Sequence, residues 1–316
     1  MMELRRFINP REGQPMRQPT TRKALLVKQV KGLCAQFGRW GDEALSEVVG
    51  AQKALESMRR HLGNWRERVY PPVRMLILFI EQVLDGDGAC LDAVARGLSE
   101  RVGVGEQPCS LNIGAYCRAR ARLSLEWIVE LVGLSERRLE QAMPAVWSWR
   151  GRPVKLLDGT TVSMADTPEN QALYPQHGGQ RAGLGFPLAR VVALISSGSA
   201  AVLGFALAPH KGKGTGEQSL FRQIAPGFAA GDMLVVDCYH CTFFTLALLR
   251  QLGVDIVTQQ NACRVTDFRR GQHLGERDHV AYWKRPLRPE WLDEQAYEAS
   301  PASWRYASYA CAARSW

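Results

Sequence analysis

The spacing of hydrophobic residues divides the chain into two parts with different patterns. In the first half the apolar positions recur at helical spacing, for example at Leu26, Val30 and Leu33. The stretch "PPVRMLILFIEQVLDG" has proline at the start of a predicted helix and glycine at its stop. Residues 1–18 are polar, with two prolines, and carry no such period. The pattern predicts a flexible arm over 1–18 and a helical region over 19–150.

After Gly151 the apolar runs become short and rich in β-branched residues. "PVKLL", "LARVVALIS" and "AVLGFALA" are predicted strands, and Ser-Gly-Ser between the last two is typical of a hairpin turn. They are followed by a helix ("GEQSLFRQI"), a strand ("DMLVVD"), a helix ("TFFTLALLRQLG") and a strand ("VDIVTQQ"). This order predicts a mixed sheet with helices on its faces over residues 151–260, and therefore an α/β core in a chain that is α+β overall.

The charge of the chain favours an anionic partner. Its 316 residues leave room for two domains, and 46% hydrophobic against 22% charged residues is typical of a globular protein with a buried core. A net charge of +9 is compatible with nucleic acid binding, and equally with a basic protein that binds none. Residues 1–150 hold 23 Lys and Arg against 17 Asp and Glu, so the helical region is favoured for DNA contact.

Neither a secretory signal nor a membrane span is predicted. The N-terminal arm has no apolar stretch, and the longest apolar run, Met75–Ile80, is far too short to cross a bilayer. The eight cysteines do not have the spacing of a disulfide framework, which is typical of reduced thiols in a cytoplasm. We therefore expect a cytoplasmic protein that binds no membrane.

Two groups of basic residues are candidates for DNA contact. In "SLNIGAYCRARARLSLEWIVELV" a predicted helix carries Arg118, Arg120 and Arg122. A helix-turn-helix that contacts DNA phosphates would have this pattern, but a solvent-exposed basic face on a helical bundle explains it as well. The glycine-rich loop "HKGKGTGEQ" holds Lys211 and Lys213 just before a predicted helix. Contact with the DNA backbone and a plain flexible loop are both compatible with that loop.

Two aspartates end neighbouring apolar runs. Asp158 closes "VKLLD" and Asp237 closes "MLVVD". If the two strands pair, their carboxylates lie within a few ångströms and repel each other, and a hard cation such as Mg²⁺ or Mn²⁺ relieves the repulsion. Two such ions about 4 Å apart support phosphodiester chemistry. For either aspartate alone a strand-end turn is the simpler explanation, since Asp-Gly is a common turn pair.

The motifs around these aspartates resemble a known family. "LLDGTTVSMADTPENQALYPQ", "KGKGTGEQSLFRQI" and "GDMLVVDCYHCTFFTLALLRQLGVDIV" are similar to DDE transposases of bacterial insertion sequences, in the insertion-sequence-four group. The resemblance runs from about residue 20 to residue 298. It implies a ribonuclease H-like core, Mg²⁺ or Mn²⁺ on Asp158 and Asp237, and double-stranded DNA at element ends and target as partner, with either a monomer or a homodimer on the DNA.

The third carboxylate of that family is not found. Its motif has tyrosine, two residues, arginine, three residues, glutamate, six residues and lysine. Tyr282 and Arg285 begin it, but Pro289 stands where the glutamate should be and Glu290 comes one place late. Each residue along a helix rotates the side-chain direction by about 100°, so a glutamate one position late would not point to the metal site. We therefore expect Glu290, Glu294 and Glu298 to be exposed charges, and the chain to be inactive or a non-catalytic, DNA-binding inhibitor.

The C-terminal part predicts an incomplete core. Residues 261–299 resemble the start of a segment that the family inserts after its fifth strand, whereas 300–316 show no periodicity. Back-translated with GC-rich codons, this tail can be read in another frame as Gly-Glu-Leu-Ala-Val-Arg-Glu-Leu-Arg-Val, which resembles the family's continuation. The hypothesis is a frameshift near residue 300 that truncates an incomplete ribonuclease H-like mixed-sheet catalytic core; an unusual but genuine C-terminus is the alternative.

Overall fold

The structure is a computed structural model. It describes residues 47–309 except 66–67, 86–88, 182, 262, 265–268, 270 and 276–277, and the predicted arm over 1–18 lies outside them. The chain divides into two compact units, Met1–Ser135 and Glu136–Trp316. The change of pattern predicted at Gly151 therefore lies inside the second unit. None of the described helices is both long and apolar enough to cross a membrane.

The first unit is helical, as the hydrophobic spacing predicts. Two clusters of buried side chains hold it together, one around Trp127 and Leu131 and one around Leu78 and Tyr116. Burial of such apolar surface is the main stabilising contribution to a helical unit of this kind. The helices are α1 (Ala51–Leu62), α2 (Pro72–Leu84), α3 (Cys90–Gly103), α4 (Ile113–Arg120) and α5 (Leu125–Ala142), the last of which runs on into the second unit.

Tyr116 fixes α4 against α2. Its ring is fully buried and meets Tyr70 edge to face, and its hydroxyl donates a hydrogen bond to Gln82 Oε1 at 2.6 Å. Burial raises the pKa of Tyr116 to about 12, so the phenol stays protonated and keeps donating. Asn112 caps the start of α4 by accepting a hydrogen bond from the Gly114 amide at 2.8 Å. The position of α4 is therefore well defined, which bears on the arginines that follow Tyr116.

The second unit is built on a five-stranded mixed sheet, and the α/β prediction for this part is confirmed. The strand order is β3-β2-β1-β4-β5, with β1, β2 and β3 antiparallel and β4 and β5 parallel to β1. The hydrophobic core lies between the sheet and the helices that follow β3 and β4. The elements are β1 (Val154–Ser163), α6 (Pro168–Leu173), β2 (Leu188–Ser196), β3 (Val202–Pro209), α7 (Glu217–Ile224), β4 (Met233–Val236), α8 (Phe243–Gln251) and β5 (Asp255–Thr258).

A buried ion pair lies where β1 and β4 begin. Lys155 Nζ and Asp232 Oδ2 are 2.6 Å apart, and both residues are less than 10% exposed. The Asp232 side chain also accepts a hydrogen bond from the Ala229 amide, which donates to Oδ2 at 2.7 Å. The ammonium of Lys155 also lies 5.3 Å from the centre of the Phe228 ring. The pair therefore joins the edge of the core to the turn that precedes β4.

β1 is longer than its sequence pattern predicts. The strand was expected to end at Asp158, but it continues to Ser163, because β2 pairs with it along its whole length, through Ser163 and Leu188. Gly159 pairs with Val192 inside this ladder, so the interpretation of Asp-Gly as a turn is wrong. The parallel partner β4 ends earlier, at Val236. Asp158 consequently lies in the middle of β1 but at the end of the β1–β4 pairing.

The segment after β5 forms a second, small antiparallel sheet. Its strands are β6 (Gln272–Gly275), β7 (Asp278–Lys284) and β8 (Ser303–Tyr309), in that order, with the short helix α9 (Glu294–Ala299) before β8. Ser303–Tyr309 belongs to the stretch without periodicity, and it forms a strand because it pairs with β7. Residues 310–316 lie outside the described part. The frameshift hypothesis stays a prediction.

Candidate functional site

Asp158 and Asp237 occupy matching positions on neighbouring strands. Leu156 pairs with Val235 in the parallel β1–β4 ladder. Asp237 directly follows β4 and keeps an extended backbone, with ψ 174°. Continued for two residues, the register therefore sets Asp158 opposite Asp237, and neighbouring strands lie about 4.8 Å apart. Both side chains are exposed and point to the same face of the sheet, since side chains two residues apart along a strand share a face.

Each of the two carboxylates uses only one oxygen within the protein. Asp158 Oδ1 accepts a hydrogen bond from the Gly159 amide at 2.8 Å, and Asp237 Oδ1 accepts one from the Tyr239 amide at 3.1 Å. Among the described residues, no hydrogen bond or ion pair is made by Oδ2 of either aspartate. Two exposed carboxylate oxygens on adjacent strands form a donor set that suits a hard divalent cation, as the aspartate spacing predicts.

The turn after Asp237 is held from two sides. Thr258 Oγ1 at the end of β5 donates to the Asp237 carbonyl at 2.7 Å, and Asn261 Nδ2 donates to the Cys238 carbonyl at 3.4 Å. From α7, Gln218 Nε2 donates to the Tyr239 carbonyl at 2.9 Å. These bonds orient the one-turn helix Cys238–His240, whose first amide groups face the aspartate. The Asp237 side chain therefore has a defined direction without any ligand.

The sheet face around the aspartates is open and carries several exposed apolar side chains. Leu156 and Val235 pair on it, and the neighbouring Val257 is 53% exposed. Ala193 pairs with both Asp158 and Phe205, which sets the Phe205 ring, 45% exposed, on the same face. The opposite face carries the core under α7. The carboxylates are therefore accessible to a large molecule, whereas an enclosed pocket would admit only a small one.

Sequence reasoning missed two residues near the aspartates. A Cβ built on Gly159 would lie 2.6 Å from Glu217 Cδ, so the Glu217 side chain lies against Gly159, on the core face of the sheet opposite to the two carboxylates. Glu217 also lies 3.9 Å from Arg190 Nε. His240 is 2% exposed, and its Nδ1 has no hydrogen-bond partner. Burial lowers the pKa of His240, and the charges of Asp237, Glu217 and Asp158 oppose that shift.

The lowered pKa of His240 predicts a pH-dependent stability. A histidine whose pKa is lower in the folded state than in the unfolded state binds a proton more readily after unfolding. The free energy of unfolding is therefore at its full value above the unfolded pKa of about 6.5 and decreases as the pH falls below it. For one proton, the free energy of unfolding changes by at most about 1.4 kcal/mol per pH unit. Urea unfolding at pH 7.5, 6.5 and 5.5 measures it.

The matched variants for this prediction are His240→Phe and His177→Asn. His240→Phe keeps a ring of similar size against Phe221 and Tyr239 and removes the titrating group. We expect it to flatten the pH profile, whereas His177→Asn, which changes an exposed residue, leaves the profile as it is. An unchanged slope in His240→Phe would show that other groups cause the acid sensitivity.

A third metal ligand does not join the two aspartates. Over the described residues, no group of three His, Cys, Asp or Glu side chains is arranged to hold a metal ion. The late glutamates are exposed as predicted: the side chains of Glu290 and Glu298 are 92% and 66% exposed, and Glu290 lies 3.8 Å from Lys213. Glu294 lies in the first turn of α9. Among the described residues, Asp158 and Asp237 are therefore the two candidate metal-binding side chains at this position.

The three arginines predicted to contact DNA separate into two kinds. Arg118 and Arg122 are exposed and line a cavity of about 620 Å³ in the first unit. Arg120 points to the other side of α4, where it donates to Gln82 Oε1 at 3.2 Å and packs over the Phe79 ring at 5.5 Å. Its partly buried guanidinium therefore has a structural role, and DNA contact stays a prediction for Arg118 and Arg122.

The two loop lysines are both exposed. A Cβ built on Gly178 would collide with Lys211 Nζ, so this side chain lies across the glycine. The Lys213 side chain is 95% exposed, and its contact with Glu290 is solvent-screened. Two tryptophans of the C-terminal segment make packing contacts: the Trp283 ring meets Phe243 edge to face, and the Arg222 guanidinium lies 3.9 Å from the centre of the Trp291 ring. Phosphate contact by Lys211 and Lys213 stays a prediction.

Comparison with known proteins adds no relative. No protein-family model matches the chain, and no curated protein sequence matches it significantly.

Proposed function

We propose that the chain is a DNA-binding protein of the DDE transposase type, with a ribonuclease H-like core, whose Asp158 and Asp237 hold Mg²⁺ or Mn²⁺. The observation that carries the proposal is the β1–β4 register, which sets two carboxylates side by side on parallel strands. The cation would polarise a phosphodiester and activate an attacking oxygen. Asp158 and Asp237 would each offer Oδ2, while their Oδ1 atoms stay bonded to backbone amides.

Double-stranded DNA, at the ends of an element and at its target, is the proposed partner. The open face around the aspartates admits a duplex, which an enclosed cavity would not. The net charge of +9 favours binding to a polyanion. Lysine and arginine side chains that neutralise phosphates displace the counterions condensed on the DNA, and this release favours binding. Lys211 and Lys213 belong to the same unit as the aspartates and would contact the backbone. A homodimer on DNA is compatible with this proposal.

A second candidate function is DNA binding without chemistry. It is favoured by the finding that, among the described residues, no third His, Cys, Asp or Glu is arranged with the aspartates to hold a metal. Two carboxylates hold ions less firmly than three, so cleavage would be slower by orders of magnitude. Such a protein would occupy element ends and inhibit an active transposase.

The experiment is a nicking assay on supercoiled plasmid with Mn²⁺, Mg²⁺ or EDTA. If the chain is catalytic, we expect nicking with Mn²⁺ that is lost in EDTA and reduced at least about 100-fold by Asp237→Asn. Asp166→Asn is the control, since it removes an equal charge from an exposed position beyond the end of β1.

The non-catalytic candidate predicts a different outcome. The protein would retain a linear duplex in a gel-shift assay with EDTA but would not nick the plasmid with any cation. Nicking that survives both Asp158→Asn and Asp237→Asn would contradict the cation site and indicate a contaminating nuclease. Absence of both binding and nicking would contradict the proposed function as a whole.

A further inference from the structure

An arginine-lined cavity in the first unit has no assigned role. Its volume is about 620 Å³, within the range of small-ligand pockets, and it lies between α4 and the segment that joins α1 to α2. Arg68, Arg118 and Arg122 line it together with the rings of Trp65 and Tyr70. A recess that combines three cations with two aromatic rings differs from the evenly charged ridge that would follow a duplex backbone.

The three cavity arginines lack the acidic partners that other arginines of this unit have. Arg74 and Arg101 both pair with Glu106, and Arg60 pairs with Glu130. Arg96 contacts Glu81 and Asp85. By contrast, no described residue forms an ion pair or a side-chain hydrogen bond with Arg68, Arg118 or Arg122. Converging like charges are unfavourable without a counterion, so the cavity is complementary to an anion.

The end of α4 brings two of these arginines together. Arg118 lies in the last turn of α4 and Arg122 lies two residues beyond its end, and both line the cavity. Arg68 reaches the same cavity from a distant segment, so the set is not a local charge run. Guanidinium forks bind phosphate oxygens in pairs, and aromatic rings stack on nucleobases whatever their sequence. Trp65, which also packs on the cluster around Trp127, would offer that surface.

We propose that this cavity binds one unpaired nucleotide of a DNA strand, with its phosphate on Arg68, Arg118 and Arg122 and its base against Trp65. The chemistry that it recognises is a phosphate ester joined to a flat base. A stacked, paired base in a duplex cannot enter a recess, so the site prefers single-stranded or locally opened DNA. This goes beyond the proposed function, because it needs neither Asp158 nor Asp237.

The test is fluorescence anisotropy of the full chain with a labelled single-stranded oligonucleotide, in EDTA so that the aspartate site plays no part. We expect Arg68→Gln, Arg118→Gln and Arg122→Gln each to weaken binding at least about 10-fold and to lower the salt slope by about 0.7. Arg59→Gln is the matched control, because Arg59 is exposed in the same unit but does not line the cavity. Thermal melting checks that each variant is folded.

Three further probes separate the components of the proposal. An abasic oligonucleotide of equal length keeps the phosphates and loses the bases, and we expect it to bind at least about 5-fold more weakly. The same sequence as a duplex should also bind more weakly than the single strand. Thymidine monophosphate and inorganic phosphate should compete only at far higher concentrations. The proposal would be overturned if the abasic strand bound equally well or if the duplex bound more tightly than the single strand. It would also be overturned if the mononucleotide competed at the oligonucleotide's concentration, or if Arg59→Gln weakened binding as much as the cavity variants do.

Discussion

Asp232→Asn is expected to lower the free energy of unfolding of the second unit by about 3 kcal/mol or more. The substitution keeps the size of the side chain but removes the charge that lies 2.6 Å from Lys155 Nζ. Both side chains are at most 10% exposed, so the ammonium would be left buried without its counterion. For a unit of this size the melting temperature should fall by roughly 6–12 °C. Urea unfolding at pH 7 measures the change.

An exposed pair in the same region provides the control for Asp232. Asp255 Oδ2 lies 2.7 Å from the Arg152 guanidinium, but its side chain is 53% exposed, so Asp255→Asn should cost less than about 1 kcal/mol. The double variant Asp232→Asn/Lys155→Met removes both charges and should recover most of the stability that Asp232→Asn loses. Equal costs for Asp232→Asn and Asp255→Asn would show that the buried position of the pair contributes nothing.

The part of the fold that the sequence predicts is the part governed by local pattern. Helical spacing predicts α2, and short apolar runs predict β2, β3, β4 and β5, because period and burial are properties of neighbouring residues. The extent of β1 beyond Asp158 has another cause. It depends on pairing with β2, some thirty residues away, so the polar stretch after Gly159 gives no local sign of it. The same holds for β8, which is set by pairing with β7.

The candidate site could likewise be predicted from the sequence only where local pattern governs it. Two runs that end in aspartate predict a carboxylate pair, provided that the strands are neighbours. Glu217 has no such signal, because its position beside Gly159 results from the packing of α7 on the sheet. Helical spacing alone did not separate Arg118, Arg120 and Arg122, because α4 ends at Arg120 and Arg122 lies in the turn beyond it. In the structure Arg118 and Arg122 line one cavity, whereas Arg120 donates to Gln82.

The cation site makes a prediction about stability that does not depend on catalysis. With EDTA, Asp158→Asn should melt at the same temperature as the unaltered chain or higher, because it removes the repulsion between carboxylates on adjacent strands. With Mn²⁺ the order should reverse. A cation that binds only the folded state stabilises it by about 2.7 kcal/mol at 100 times its Kd, and the variant should lose this gain. Thermal melting with EDTA and with rising Mn²⁺ measures both.

The controls for this stability prediction separate the two aspartates from general ionic effects. Asp166→Asn removes an equal charge from the loop after β1 and should respond to Mn²⁺ as the unaltered chain does. Sodium chloride at the same ionic strength screens charges without a divalent cation, so stabilisation by screening alone would be the same with both salts and in all variants. If Mn²⁺ stabilises Asp158→Asn and Asp237→Asn as much as the unaltered chain, the carboxylates bind no cation. The two aspartates would then be an exposed, repelling pair, and DNA binding by the basic residues would be the only part of the proposed function left to test.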